Sequence, residues 1–303
     1  MDRVSAAQNA LLVMYGFDMC AAVPSNLAPA PDARIAAAGF DVLVGYLSAS
    51  DAILVSGSGL RSRMFGSSDA AMNRVCYGYV ARRGAGEYVA VIRGTHGLLE
   101  WADDLDFLMM QHPNPAAGLV DQGFWSIYRT MLFHPLNGGG PVPAAQGLGN
   151  LNLPAEASLS VLGHSLGSAL ATYLTLDLAL QGTPAKGCFF ASPHTGNRGF
   201  VDFFEGENIN YDLWNYVQDK VPTVPTRDIL HFSDYKPLHQ EKTIPVDGGL
   251  GVSIDATLPC FHHLMCYTAL LDPATYKAAL AEATRLQVQD DLSCAQCVLS
   301  TGS

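Results

Sequence analysis

Ser158-Leu159-Ser160-Val161-Leu162-Gly163-His164-Ser165-Leu166-Gly167-Ser168-Ala169 is the stretch whose reading decides the fold. Ser158 to Leu162 is a short apolar run of strand length, and the Ala-, Leu- and Thr-rich segment from Leu166 to Gln181 reads as a helix. Between them, Gly163-His164-Ser165-Leu166-Gly167 fits the G-x-S-x-G pattern in the strand-to-helix setting it needs. Such a turn forces the central serine into a strained backbone conformation, and side chains at the two glycines would collide with neighbouring elements. It lifts the hydroxyl above the sheet, and the helix that begins there points its free N–H groups at a reacting carbonyl. In a chain with 29 glycines the five-residue pattern also arises by chance. The apolar strand before it and the small residues Ser168, Ala169 and Ala171 after it make Ser165 a candidate nucleophile.

Downstream, Gly187 to Ala191 reads as a strand, residues 199–205 as a helix, and Leu213 to Val217 as a further strand. Strands alternating with helices predict a mostly parallel sheet with helices on both faces, an α/β fold. Upstream, Val75 to Val80 and Tyr88 to Ile92 read as a hairpin across a turn holding Gly84 and Gly86. Residues 4–19 and 34–53 are apolar at helical spacing on either side of the Pro-rich stretch Pro24 to Pro31, and predict two helices outside the sheet. Helices are also expected over about 98–110, 119–133, 263–271 and 273–287, with residues 137–150 as a surface insertion. The expected organisation is one domain over 1–303: N-terminal helices at about 4–53, a core at about 75–287, and a polar tail at 288–303.

With 49% hydrophobic and 15% charged residues, the 303-residue chain is able to bury a sizeable core. It has no apolar run of 18 or more residues, the length of a membrane span. Lys plus Arg is 17 against 28 Asp plus Glu, a net charge of −11. That balance argues against a nucleic-acid partner and against electrostatic docking on anionic lipid, and leaves apolar contact with a lipid surface open. Met1-Asp2-Arg3-Val4-Ser5 shows no basic region followed by an apolar core. The expectation is therefore no signal peptide, and a cytoplasmic location or export by a route without an N-terminal signal. Seven cysteines stand at 20, 76, 188, 260, 266, 294 and 297. Cys294-Ala295-Gln296-Cys297 has redox or zinc spacing but no second pair, so a tail disulfide or free thiols is preferred over a metal site. No phosphate loop, His-Glu-x-x-His or dinucleotide glycine pattern occurs, so neither cofactor nor metal is expected.

Several further blocks follow one another in a recognisable order. Val89-Ala90-Val91-Ile92-Arg93-Gly94-Thr95 precedes Trp101-Ala102-Asp103-Asp104-Leu105, then Gln122-Gly123-Phe124 and the serine turn. Phe190-Ala191-Ser192-Pro193-His194-Thr195-Gly196-Asn197 and Asn215-Tyr216-Val217-Gln218-Asp219-Lys220-Val221-Pro222 come after it. Over about residues 75–271 this resembles the class 3 lipases, the family of the filamentous-fungal triacylglycerol lipases with plant and bacterial relatives. The chain departs from the family pattern at Gln122 (His in the family), Ala191 (Gly) and His194 (Arg). The resemblance implies an α/β-hydrolase fold and a serine carboxylic-ester hydrolase, a lipase cleaving acylglycerols through an acyl-enzyme. A phospholipase A1 or a soluble esterase is the alternative, and a non-catalytic hydrolase fold used as a binding module is the alternative of another class.

A serine hydroxyl needs a base to take its proton and a third group to orient that base. The chain order in this fold is Ser, then acid, then His. Asp219 follows an apolar strand and matches the family's Asp-x-Val-Pro block, which implies the acid role. His262 and His263 both follow it. The pattern His262-x-Leu264-x-x-Tyr267 resembles the family form in which His precedes Tyr by five positions, which implies His262 as the base, whereas a fungal variant of that block with His-Leu adjacent implies His263. His164 is expected to be structural, and His231 and His239 to be loop residues. Oxyanion donors implied by the resemblance are the N–H of Leu166 and Thr95, through its N–H and hydroxyl. By periodicity Leu98, Leu99 and Trp101 read as an ordinary amphipathic helix, whereas the resemblance implies a lid there; Phe124 and Trp125 read as acyl-pocket wall or as core.

Overall fold

Strand β1 (Val42–Ser50) lies where the apolar spacing predicts a helix, and it begins one half of a nine-stranded sheet. The structure, a computed structural model, describes residues 1–50, 74–95, 108–225, 234–255 and 258–300. Before β1 come helices α1 (Arg3–Ala21) and α2 (Ala33–Ala37). Asp2 caps α1 by accepting from the Ser5 N–H at 2.8 Å. Gly39 at φ 92° closes the turn after α2, so the second predicted helix ends at Ala37. From Gly45 onward β1 is almost wholly buried, which is why its apolar residues show no period-2 alternation to distinguish them from a helix. β2 (Arg74–Arg83) and β3 (Glu87–Ile92) form the predicted hairpin, and β1 pairs antiparallel with β2.

Two more predicted helices are corrected. β4 (Met109–Gln111) occupies the end of the 98–110 segment. Over 119–133, β5 (Leu119–Asp121) is followed by α3 (Gln122–Tyr128) and by β6 (Leu132–Pro135), which pairs with β1. Asp121 caps α3 with its carboxylate on the Phe124 N–H at 2.8 Å, which starts the helix there rather than at 119. The expected surface insertion holds β7 (Val142–Pro143) and α4 (Ala144–Gly149), with Ala144, Ala145 and Leu148 buried.

β8 (Ser158–His164), α5 (Leu166–Leu180), β9 (Lys186–Phe190), β10 (Gly196–Asn197), α6 (Arg198–Gly206) and β11 (Tyr211–Tyr216) follow. Then come β12 (Tyr235–Lys236), β13 (Glu241–Ile244) and β14 (Val252–Ile254). The last elements are α7 (Leu258–His262), α8 (Leu264–Leu271), α9 (Pro273–Leu286), α10 (Gln289–Ala295) and β15 (Val298–Ser300). The large sheet runs β13-β11-β9-β8-β3-β2-β1-β6-β7. Pairings from β3 to β13 are parallel and those from β3 to β7 antiparallel.

Side chains of β3 alternate between two apolar clusters, one on each face of the sheet. Val89 and Val91 join α1 and α8 on one face, while Tyr88, Ala90 and Ile92 join α3 and α5 on the other. This is the α/β-hydrolase arrangement read from the sequence. The segment expected as a polar tail forms α10 and β15, and β15 pairs with β14. Cys294 and Cys297 do not bond to each other: Cys297 is joined to Cys260, a second disulfide links Cys20 to Cys76, and Cys188, Cys266 and Cys294 are free.

Candidate active site

β8 delivers Ser165 at φ 59° and ψ −130°, a left-handed backbone that an L-residue adopts only when its surroundings impose it. A methyl group on Gly163 would stand 2.4 Å from the Gly167 carbonyl oxygen, and one on Gly167 2.4 Å from that of Ile92. Both contacts are to backbone, which has no room to move, so glycine alone fits on either side of the serine. The next strand fastens the turn. The Ser165 N–H donates to the Phe190 carbonyl at 2.9 Å, and the Ser168 hydroxyl donates to the same oxygen at 2.8 Å. Ser168 also accepts from the Phe190 N–H at 3.1 Å.

His262 ends α7 and lies between Ser165 and Asp219. Its Nε2 is 2.9 Å from Ser165 Oγ and its Nδ1 2.8 Å from Asp219 Oδ2. These partners fix the tautomer: Nδ1–H donates to the carboxylate, and the serine hydroxyl donates to Nε2. Asp219 is buried just beyond β11. Its Oδ1 accepts from the Val221 N–H at 3.0 Å, and its Oδ2 also accepts from the Tyr267 hydroxyl at 2.8 Å. That hydroxyl in turn accepts from the Tyr216 N–H at 3.0 Å. His263 turns away to cap α8, its Nδ1 accepting from the Met265 N–H at 3.1 Å.

Gly94 abuts the turn, since a methyl group there would lie 3.1 Å from Ser165 Cβ. Thr95 follows it, and among the described residues its Oγ1 is buried with no hydrogen-bond partner. Leu166 is the first residue of α5, a position whose N–H has no partner within a helix. Phe124 is buried in the same apolar cluster as Leu166, and Trp125 packs on Tyr128 and Tyr173 at ring distances of 5.2 and 5.1 Å. Leu98, Leu99 and Trp101 lie outside the described residues, as does His231. His239 is a loop residue whose N–H donates to Glu205 Oε1 at 3.0 Å.

Ser168 has no role in the sequence reading, although a hydroxyl one turn into the helix that follows Ser165 is placed to reach the neighbouring strand. His164 also does more than expected: its Nε2–H donates to the His262 carbonyl at 2.8 Å. Its position beside the serine was the available signal.

Residues 89–229 match the family model described as lipase (class 3). A secreted mono- and diacylglycerol lipase A of Penicillium cyclopium is 31% identical over 141 residues, covering 45% of this chain and 42% of the relative. Phospholipase A1-II 3 of Oryza sativa subsp. japonica is 28% identical over 219 residues, covering 63% of this chain and 50% of that protein. The chain thus spans half or less of the length of these curated relatives. A solved triacylglycerol lipase whose catalytic centre is formed by a serine protease triad superposes with a TM-score of 0.53 at 19% identity, over 80% of this chain and 78% of that one, a likeness of fold. Residues 89–229 thus resemble the class 3 lipases, on a fold like that of the solved lipase.

Proposed function

We propose that the protein is a serine carboxylic-ester hydrolase that cleaves acylglycerols through an acyl-enzyme. The observation that carries this reading is the single imidazole, His262, within hydrogen-bond reach of both Ser165 and Asp219. Ser165 Oγ attacks the ester carbonyl carbon while His262 Nε2 takes its proton. Asp219 holds the imidazole in the required tautomer and stabilises the imidazolium. The negative oxygen of the tetrahedral intermediate sits against the Leu166 N–H and the Thr95 N–H and hydroxyl, donors in place before the reaction begins. The intermediate collapses, the leaving alcohol takes the proton from His262, and the acyl group stays on Ser165. Water, deprotonated by the same imidazole, then releases the carboxylic acid and restores the serine.

A lipid ester brings such a site to a lipid surface. With a net charge of −11, contact there rests on apolar side chains rather than on charge. A phospholipase A1 reading is favoured by one observation, the longer alignment with the rice protein. A fold kept only for binding has no need of the Ser165–His262–Asp219 bonds. Turnover of a panel from short nitrophenyl esters through triolein to phosphatidylcholine separates these readings. Acylglycerol cleavage above phosphatidylcholine cleavage is the expected result, the reverse order gives the phospholipase, and no turnover of any ester sinks the hydrolase reading.

A further inference from the structure

We propose that His164 is a positioning residue that holds His262 by its backbone, so that one imidazole meets both Ser165 and Asp219. The proposal rests on the esterase reading above. α7, which carries His262, is only five residues long, too short to be rigid by itself. Side-chain bonds to Ser165 and Asp219 orient the ring, but they leave the peptide behind it to be placed by other contacts. His164 Nε2–H supplies one, donating to the His262 carbonyl at 2.8 Å. The two rings also lie against each other, with centroids 4.5 Å apart and planes tilted by 38°.

Because His164 immediately precedes the nucleophile, the strained turn that fixes Ser165 also grips the residue that must reach it. A displacement of the base by about one ångström costs up to about a hundredfold in rate, and this bond opposes it across the gap between β8 and α7. The second requirement is charge. Each half-reaction makes an imidazolium of His262, and a cation 4.5 Å away would oppose it. Burial, and then the neighbouring His262, push the His164 pKa well below the ordinary histidine range, so its ring stays neutral. The Tyr267 ring also lies against it, at a centroid distance of 6.3 Å, and His263 adds to the lowering. A lysine or arginine would donate to the same carbonyl but carry the opposing charge. A neutral N–H donor of this reach is what the position requires.

Two substitutions separate the bond from the bulk. His164→Phe keeps a ring and removes the donor, while His164→Gln keeps an N–H donor and removes the ring. Each variant is checked for native circular dichroism and melting, and kcat and KM are measured on a short nitrophenyl ester. The expected result is a loss of about tenfold to a hundredfold in kcat for His164→Phe, with KM nearly unchanged, and recovery by His164→Gln to within about threefold of wild type. Equal activity in the two variants, whether high or low, overturns the proposal. Nitrogen-15 NMR of the wild-type histidines gives a reading that needs no variant. A neutral His164 protonated on Nε2 from about pH 5 to 8 is expected, and protonation on Nδ1 or titration in that range overturns the proposal. Absence of ester turnover in the wild type counts instead against the hydrolase reading, because the NMR signature does not depend on it.

Discussion

The two sides of the site are held by different means. Ser165 is fixed by backbone: the β8 and β9 ladder, the Phe190 carbonyl on its N–H, and two glycines that admit no side chain. His262 is fixed by side chains and a cross-link: Asp219 on its ring, His164 on its carbonyl, and the Cys260–Cys297 disulfide two residues before it. Placement of Ser165 is thus a property of the sheet, which cannot be altered without disturbing the core. Placement of His262 depends on a few separable contacts. In physical terms, strain at Ser165 is tolerated because packed structure surrounds it on every side, whereas the base segment is short and is tethered at points.

The largest effect is expected on the serine side. Gly167→Ala puts a methyl group 2.4 Å from the Ile92 carbonyl oxygen and 2.5 Å from that of Arg93. Activity and folding should fall together, with a stability loss of about 3 kcal/mol or more in a thermal or urea melt. A stable, inactive Gly167→Ala protein would break the comparison, because it would separate the turn from the core. Next in size is Asp219→Asn on the base side. It keeps an acceptor near Val221 but offers the imidazole the wrong partner, so kcat on a soluble ester should drop by about 10⁴ while the melt changes little. Near-normal kcat in this variant would place the acid elsewhere; Asp234, which lies 3.1 Å from Lys236 in an ion pair, is the next carboxylate of the described chain to test.

Smaller again in its effect on kcat is Cys297→Ser. The bond it breaks closes a separation of 37 residues between α7 and the turn before the last strand. Its removal should cost up to about 4 kcal/mol of stability by loop entropy. At temperatures where the variant stays folded, kcat should fall only a few-fold, because Asp219 and His164 still hold the base. A kcat loss as large as that of Asp219→Asn, in a folded variant, would make the cross-link the principal tether.

The side held by backbone was also the side legible in the sequence. β8, α5, β9 and β11 alternate, and the serine turn carries a pattern with a steric reason for each glycine. The antiparallel half was less legible. β1 from Gly45 onward is buried without a break, and an unbroken apolar run of that kind fits a helix as well as a strand. β5, α3 and β6 share one segment because the Asp121 cap and the pairing of β6 with β1 outweigh the helical spacing of 119–133. On the base side, Asp219 was read from its place after β11 and from the family's Asp-x-Val-Pro block, while the choice between His262 and His263 rested on the spacing of another family block. In the structure the cap geometry at α8 separates them, with His263 spent on the Met265 N–H. The pairing of Cys260 with Cys297 was beyond reach: seven cysteines allow many pairings, and CxxC spacing pointed to a neighbour that does not bond.

The central claim is that Ser165 is a nucleophile activated by His262. Labelling with a fluorophosphonate ester, read by peptide mass spectrometry on wild type, His262→Ala and His263→Ala, tests it most directly. The phosphonyl adduct should form on Ser165 in the wild type, and at a similar rate in His263→Ala, whose imidazole caps a helix. In folded His262→Ala the adduct should form at least about a hundredfold more slowly, because the hydroxyl has lost its base. An absent or misplaced adduct in the wild type, or rapid labelling of His262→Ala alongside slow labelling of His263→Ala, would contradict the account.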